Sequence, residues 1–152
     1  MREALKQAKL ALEKGDVPVG AVVVHKGQII GRGYNQMVLL KDPTAHAEMI
    51  AITQAANTLG SKWLHKCCLY VTIEPCSMCA GALVLSRIPR ICIGALDPKA
   101  GACGSVSNIV QHPQLNHRIE VKHGVCADIC AGMVTDFFQK KRKPDEIGKN
   151  NP

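Results

Sequence analysis

The sequence has no long uninterrupted run of apolar residues. Its apolar stretches, such as the one over residues 78–85, fall far short of the roughly 18 residues that a membrane-spanning helix needs. The first six residues mix charges of both signs and lack the apolar segment and cleavage site of an export signal. Internal repeats and low-complexity segments are also lacking. We therefore expect a cytoplasmic protein that does not associate with membranes.

The composition is that of a globular protein with one domain. The chain has 152 residues, of which 47% are hydrophobic and 20% are charged. This length allows one hydrophobic core but not two complete domains. The proportions exclude a disordered or fibrous protein. We expect one folded domain over residues 1–143 and a disordered tail over residues 144–152.

Cysteine and positive charge are both abundant. Eight cysteines in a small secreted chain would indicate disulfides, but in a reducing cytosol they indicate metal ligands or buried thiols. The formal net charge of +7 favours a polyanionic partner, and nucleic acid is the obvious candidate.

Predicted helices alternate with short apolar strands along the chain. Asp42-Pro43-Thr44 is typical of a helix start, with Thr44 as the expected N-cap of a helix that begins next to His46 and ends at Gly60. The alternation favours an α/β fold with helices on both faces of a mixed sheet. The other predicted helices cover residues 2–14, 76–86 and 125–141, and the predicted strands cover residues 19–24, 28–34, 69–73, 91–94 and 119–122.

Two short motifs at predicted helix starts supply candidate metal ligands. Cys76 and Cys79 are three residues apart, so they share one helix face and can bind one ion. The positive end of the helix dipole favours their thiolate forms. His46 would add an imidazole, which completes a set of two sulfur ligands and one nitrogen ligand. Neither motif offers a fourth ligand, and three protein ligands are typical of a catalytic zinc with a position open to water.

Glu48 lies two residues after His46 and would project differently from the same helical turn. Zinc can lower the pKa of a bound water to about 7. A carboxylate within hydrogen-bond reach can take that proton and deliver it elsewhere. The combination predicts a hydrolytic centre in which Glu48 is the catalytic residue.

Each element has a simpler interpretation when it is taken alone. A Cys-x-x-Cys pair occurs in redox proteins, and a lone helical histidine is usually a packed or solvated side chain. The combination of two helix starts, an intervening strand and Glu48 favours the metal site. For the remaining cysteines burial as small apolar side chains is the preferred interpretation, although Cys126 and Cys130 near His123 could hold a second metal. These cysteines are Cys67, Cys68, Cys92, Cys103, Cys126 and Cys130.

The paired motifs resemble the signature of the cytidine and adenosine deaminase superfamily, H-x-E followed by P-C-x-x-C. Further stretches resemble the bacterial family of this superfamily that acts on adenosine in transfer RNA, and the similarity extends from Ala4 to about Arg142. The stretches are Val17-Pro18-Val19-Gly20-Ala21, Asp42-Pro43-Thr44-Ala45-His46-Ala47-Glu48, Val71-Thr72-Ile73-Glu74-Pro75-Cys76, Leu85-Ser86-Arg87-Ile88 and Leu115-Asn116-His117-Arg118.

The resemblance implies a three-layer α/β/α, cytidine-deaminase-like fold with a central five-stranded mixed sheet. It implies a homodimer with one Zn2+ per chain, held by His46, Cys76 and Cys79. The implied activity is hydrolytic deamination of adenosine to inosine at the wobble position of a tRNA anticodon loop, with Glu48 moving the protons. The substrate-binding residues that it implies are Asn35, Ala47, Asp97, Lys99, Asn116 and Arg118.

Two other functions would use some of the same features. A deaminase of a free base or nucleotide, such as guanine or cytosine deaminase, could have the same centre, but the net charge and the basic C-terminal run disfavour it. A zinc-stabilised RNA-binding subunit without activity would not need Glu48. The basic run over residues 140–143 is either a solvated helix end or, near Phe137 and Phe138, a surface that binds phosphates.

Overall fold

The structure, a computed structural model, describes residues 1–142, and a five-stranded mixed sheet lies at its centre. The tail expected over residues 144–152 lies outside the described residues. The strands are β1 (Gly20–His25), β2 (Gln28–Tyr34), β3 (Cys67–Ile73), β4 (Arg90–Ala95) and β5 (Glu120–Lys122). The helices are α1 (Arg2–Glu13), α2 (Met37–Leu40), α3 (Ala47–Leu59), α4 (Ser77–Leu85) and α5 (Ala127–Arg142).

The strands lie in the order β2-β1-β3-β4-β5. Strand β1 is antiparallel to both β2 and β3, whereas β3, β4 and β5 are parallel. The carboxyl ends of β3 and β4 therefore meet at one edge of the sheet. In open α/β sheets this edge is where ligands bind.

Helices cover both faces of the sheet, which confirms the predicted fold class. On one face α3 packs on β1 and β2 and contacts α4, and the buried residues there form the main apolar core. On the other face α1 packs on β1, β2 and β3, and α5 packs on β3 and β4. Among residues 1–142, none of the helices combines the length and apolar character that crossing a bilayer requires.

Two glycines bring α3 against β2. A Cβ atom on Gly33 would collide with the Ala47 carbonyl, and one on Gly31 would collide with the Ala51 carbonyl. The helix and strand backbones thus approach more closely than a larger residue permits. This contact fixes the start of α3, which carries His46 and Glu48, over the sheet.

Helix α3 begins next to His46 as predicted, but its N-cap residue differs from the prediction. Thr44 is not the N-cap, because its amide and hydroxyl both donate to Asp42 Oδ1, at 2.8 and 2.7 Å. This local turn engages Thr44, and the helix begins only at Ala47 with His46 in the N-cap position. The four-residue helix α2 was not predicted, because so short a segment shows no helical period. The other boundaries agree with the prediction within two residues.

Candidate active site

The start of α3 brings His46 and Glu48 to the edge of the sheet where β3 ends. Asn35 directly follows β2, and its Oδ1 accepts a hydrogen bond of 2.9 Å from the Ala47 amide. Asn35 thereby satisfies one of the free N–H groups of the helix start. The His46 side chain makes no capping hydrogen bond, so its ring is available to face Cys76 and Cys79.

The start of α4 brings the two cysteines beside His46. Cys76 is the N-cap residue of α4, and Cys79 lies in its first turn. The turn before the helix is held in place because the Ala102 amide donates to the Pro75 carbonyl at 2.8 Å. Both ligand motifs therefore lie at helix N-termini, where the helix dipole favours negative charge.

The three candidate ligands form a compact group. His46 Nδ1 lies 3.7 Å from Cys76 Sγ and 3.6 Å from Cys79 Sγ, and all three ligand atoms lie within 4.8 Å of one another. Hydrogen bonds from Cys79 and His46 lower the pKa of Cys76 to about 3, and the same bonds raise the pKa of the other two side chains. The group thus carries a thiolate, the form of cysteine that binds metal ions.

This set of donors could hold a metal ion, and its chemistry fits zinc. Thiolate sulfur and imidazole nitrogen are common zinc ligands, and three protein ligands leave one tetrahedral position open. Within residues 1–142 no other three His, Cys, Asp or Glu side chains come close enough to hold an ion. That result disfavours a second site at Cys126 and Cys130, of which the first is exposed and the second is buried.

Glu48 lies beside the metal-binding group without belonging to it. Its side chain is buried, with 3% of the residue exposed, and its Oε2 atom has no hydrogen-bond partner among the described residues. Burial raises the pKa of Glu48 above that of a free glutamate. An unpaired buried carboxylate oxygen is costly unless a ligand or water meets it. This is the environment expected of a group that exchanges protons with a substrate.

His46, Glu48 and Cys76 line a cleft of about 720 Å3, a size typical of sites for small ligands. Asn35, Asp97 and Lys99, three of the predicted substrate-binding residues, line it as well. Ala47 is fully buried, and its polar contact here is the amide bonded to Asn35.

Helix α5 forms one wall of the cleft. Thr135, Phe138 and Arg142 line this wall at spacings of three and four residues, so one face of the helix is turned to the cleft. Phe138 is largely exposed, whereas Phe137 is buried against the protein. The sequence grouped both phenylalanines with the basic run as a possible phosphate-binding surface, and in the structure only Phe138 lines the cleft.

The structure does not bring Asn116 and Arg118 into this cleft. The Asn116 carbonyl accepts a hydrogen bond of 3.2 Å from Arg87, and Arg118 donates to the Pro113 carbonyl at 3.2 Å. Both residues precede β5, whose first residue Glu120 pairs with the first residue of β4 at the opposite edge of the sheet. A role of these two residues in substrate binding stays a prediction.

One residue at the site, Glu74, was not singled out from the sequence. It is 1% exposed, directly follows β3 and lines the cleft two residues before Cys76. A charged residue at the end of a β-branched run is the available sequence signal. Its hydrogen-bond partners lie more than 20 residues further along the chain, so they could not be predicted from the sequence around Glu74.

Comparison with known proteins agrees with this site. The family model of the MafB19-like deaminases matches residues 1–142. The tRNA-specific adenosine deaminase of Bacillus subtilis (strain 168) is 46% identical over 151 residues, which cover 99% of this chain and 94% of the relative. That of Aquifex aeolicus (strain VF5) is 49% identical over 142 residues, which cover 93% of each chain.

A solved structure shows the same fold. It comes from a study of A-to-I editing by tRNA:A34 deaminases at the wobble position of transfer RNA. Its TM-score is 0.84 at 41% identity, and the match covers 88% of this chain and 96% of that one. The chain is thus an enzyme of the deaminase class and belongs to the MafB19-like deaminase family. Its nearly full-length similarity to the two relatives places it, within that class, with the tRNA-specific adenosine deaminases.

Proposed function

We propose that this enzyme converts adenosine to inosine by hydrolytic deamination at the wobble position of a tRNA anticodon loop. The observation that carries the proposal is the buried Glu48 carboxylate, with one unpaired oxygen, beside the group of His46, Cys76 and Cys79. The names of the relatives and of the solved structure support adenosine in transfer RNA as the substrate.

One zinc ion per chain belongs to this proposal. His46 would bind it through Nδ1, the ring atom near both sulfurs, and Cys76 and Cys79 would bind it as thiolates. When bound, zinc supplies a Lewis acid that lowers the pKa of a water at the open position.

Glu48 performs the proton transfers. It accepts a proton from the attacking water and donates it to N1 of adenine as the water oxygen bonds to C6. It then moves the second proton of that oxygen to the amino group, the C6–N6 bond breaks, and ammonia leaves. Because burial raises the pKa of Glu48, its carboxyl can hold the proton between these steps.

Asn35 orients the base. Its Oδ1 accepts the Ala47 amide, and within residues 1–142 its Nδ2 group donates to no protein acceptor. Nδ2 can therefore donate to an acceptor on the purine such as N7.

The target adenosine has to leave its base stack to reach Glu48. A base within a helix cannot enter a cleft whose catalytic carboxylate is buried, whereas a loop nucleotide can be splayed out. An anticodon loop meets this requirement. The net charge of +7 suits the polyanionic stem beneath it. Such a substrate would place the enzyme in the cytoplasm, where reducing conditions keep its eight cysteines out of disulfides.

The proposal includes a homodimer. A second cavity of about 660 Å3 is bordered by the exposed apolar side chains of Trp63, Leu85 and Leu115. Leu85 is 79% exposed. Clustered exposed apolar side chains of this kind are typical of interfaces. A second copy of the chain would cover this surface, which also includes Asn116.

The experiment is to incubate the zinc-loaded protein with an anticodon stem-loop that has adenosine at the wobble position, and to measure inosine by nucleoside analysis. The wild-type chain should form inosine with one equivalent of zinc bound. Glu48→Ala should bind the same zinc and melt at the same temperature, but lose activity by about 100- to 10,000-fold, because it removes the proton carrier.

Matched substrates decide between the candidate functions. A stem-loop with guanosine at the same position should give no product, and free adenine, guanine and cytosine should be left unchanged. Turnover of a free base without turnover of the stem-loop would assign the small-molecule deaminase instead. Single-turnover activity of Glu48→Ala at a tenth of the wild-type rate would contradict the role given to Glu48.

A further inference from the structure

Glu74 is a buried carboxylate whose hydrogen bonds all go to one loop. Its Oε1 accepts the amides of Cys103 and Ser105, both at 3.0 Å. Its Oε2 accepts the Asp97 amide at 3.0 Å and the Ser105 hydroxyl. Residues 97–105 are thus bound to both oxygens of one side chain.

The loop is shaped around this carboxylate. Asp97 Oδ1 accepts the amides of Lys99 at 2.9 Å and Ala100 at 3.2 Å, which closes a turn within the loop. Gly101 has no room for a Cβ atom, because that atom would collide with the Glu74 carboxylate and the Asp97 carbonyl. The backbone path of residues 97–105 therefore depends on the position of the Glu74 carboxylate.

The same loop forms the mouth of the cleft. Residues 96–100 line the cleft, as α5 does, and Lys99 is exposed. Residues 76 and 101 also form an isolated antiparallel bridge. The hydrogen bonds of Glu74 therefore connect the turn that carries Cys76 to a loop that would contact a ligand bound in the cleft.

We propose that Glu74 is a positioning residue that holds residues 97–105 against the nucleotides beside the target adenosine, an inference that rests on the function proposed above. Glu74 does not contact the reacting atoms, so its loss should weaken RNA binding and leave the chemical step intact. A change that removes binding shared by ground state and transition state raises KM and leaves kcat unchanged.

An ionised carboxylate is the side chain that suits four donors. It accepts on both oxygens, whereas a glutamine accepts on one oxygen and presents two N–H donors on the other side. Glu74→Gln keeps the shape of the side chain, but its amide NH2 group would point at N–H or O–H donors of the loop. It should release one half of the hydrogen bonds to the loop.

The test compares Glu74→Gln with wild type as zinc-loaded full chains acting on the anticodon stem-loop. We expect KM to rise by about tenfold or more, since charge-assisted hydrogen bonds are removed, with kcat within about threefold and zinc content unchanged. Trypsin cleavage after Lys99 should also become faster, whereas cleavage after Lys26, in a distant turn, should not. General loss of stability would accelerate both cleavages.

Two further variants keep the test valid if Glu74→Gln folds poorly. Gly101→Ala keeps Glu74 unchanged, but the added Cβ atom would push its carboxylate away from the loop, and Ser105→Ala removes one donor. Both should raise KM in the same direction, Ser105→Ala less. The matched control is Glu120→Gln, which makes the same chemical change in an exposed side chain paired with Arg90, and its KM should not change.

The outcomes separate this inference from the proposed function. KM within twofold of wild type in the folded variants would overturn it. So would a joint fall of kcat and zinc content, because Glu74 would then support the metal turn and not the loop. If the wild-type chain leaves the stem-loop unchanged, the proposed function fails, and with it the role of Glu74 in RNA contact. Proteolysis after Lys99 would still decide whether Glu74 anchors the loop.

Discussion

Asn35 uses the two ends of its amide for different partners. Its oxygen satisfies the first N–H of α3, and its nitrogen is left for a substrate acceptor. One side chain therefore links the position of the helix that carries Glu48 to the position of the base. The two tasks need different atoms, so substitutions can separate them.

Asn35→Ala should remove both the acceptor for the Ala47 amide and the donor to the base. Asn35→Asp should remove only the donor to the base. The alanine variant should lower the free energy of unfolding by about 0.5–2 kcal/mol, as expected when a helix N-terminus loses its side-chain acceptor. The aspartate variant keeps an acceptor for the Ala47 amide, so its stability should be retained. Both should lower kcat/KM for the stem-loop by about tenfold or more, because the donor to the base is gone.

Thermal melting and single-turnover kinetics of the two variants check this prediction. An aspartate variant with wild-type activity would show that Nδ2 does not contact the base. An alanine variant with an unchanged melting temperature would show that the bond to Ala47 adds nothing to stability.

Among single residues, the sequence predicted those whose spacing within one helical turn indicates a shared site. His46 and Glu48 lie within one turn, as do Cys76 and Cys79, and the structure brings both pairs together. Glu74 escaped prediction because its partners are backbone amides of a distant loop. Such a partnership leaves no pattern in the neighbouring residues.

Helix α5 has one face that packs against the protein and another that lines the cleft. Phe137 is buried and has Lys141 Nζ 4.7 Å from its ring centre, whereas Phe138 and Arg142 belong to the cleft wall. The positive charges of the last turn are exposed. Arg142 lines the cleft and can meet an anion that enters it, Lys140 lies two residues before it on the same turn, and Lys141 contacts the Phe137 ring.

Replacing Lys140 and Arg142 together by glutamine should weaken stem-loop binding and flatten its dependence on salt. The slope of log affinity against log salt should fall by about 0.7 to 0.9 for each phosphate that the variant no longer neutralises. Melting should barely change, since both side chains are exposed and the Lys141–Phe137 pair is kept.

The matched control for this prediction replaces Lys9 and Lys26, which are exposed and do not line the cleft. It removes the same charge and should lower affinity much less. Equal slopes in both double variants would show that α5 binds no phosphate. Lys143, the last residue of the basic run, lies outside the described residues.

Element boundaries were predictable where periodicity was long. The N-cap of α3 was not, because Asp42 and Thr44 are good capping residues that bond to each other instead. The side chain that accepts the first amide of α3, that of Asn35, is distant in sequence, and nothing local to α3 indicates it. The α/β class, in contrast, followed from the alternation of helices and strands, and the five-stranded sheet followed from the family resemblance.

On the scale of the whole molecule, the cleft and the second cavity lie on different surfaces. The cleft is lined by residues at the start of α3 and on α5, which cover opposite faces of the sheet. The second cavity is bordered by α3, α4 and the segment before β5. Asn116, which the resemblance implies as a substrate-binding residue, lines this second cavity in the single chain. A dimer is the assembly in which such a surface would be covered.

Leu85→Glu should convert the proposed dimer to a monomer. A carboxylate placed at the centre of an apolar contact would have to be desolvated without a partner, which strongly disfavours association. Leu85 is 79% exposed, so the change should cost the folded chain little. Light scattering at several concentrations measures the outcome, and Ile129→Glu, an exposed position on α5, is the control. A wild-type chain that is monomeric would contradict the dimer proposal.

The order of the elements along the chain has a consequence for the time at which activity arises during synthesis. The last of the three candidate metal ligands, Cys79, leaves the ribosome well before α5, which forms a wall of the cleft. N-terminal segments of a nascent chain can fold while the rest is still being made. A nascent chain can thus contain all three candidate ligands before the α5 wall of the cleft has been synthesised.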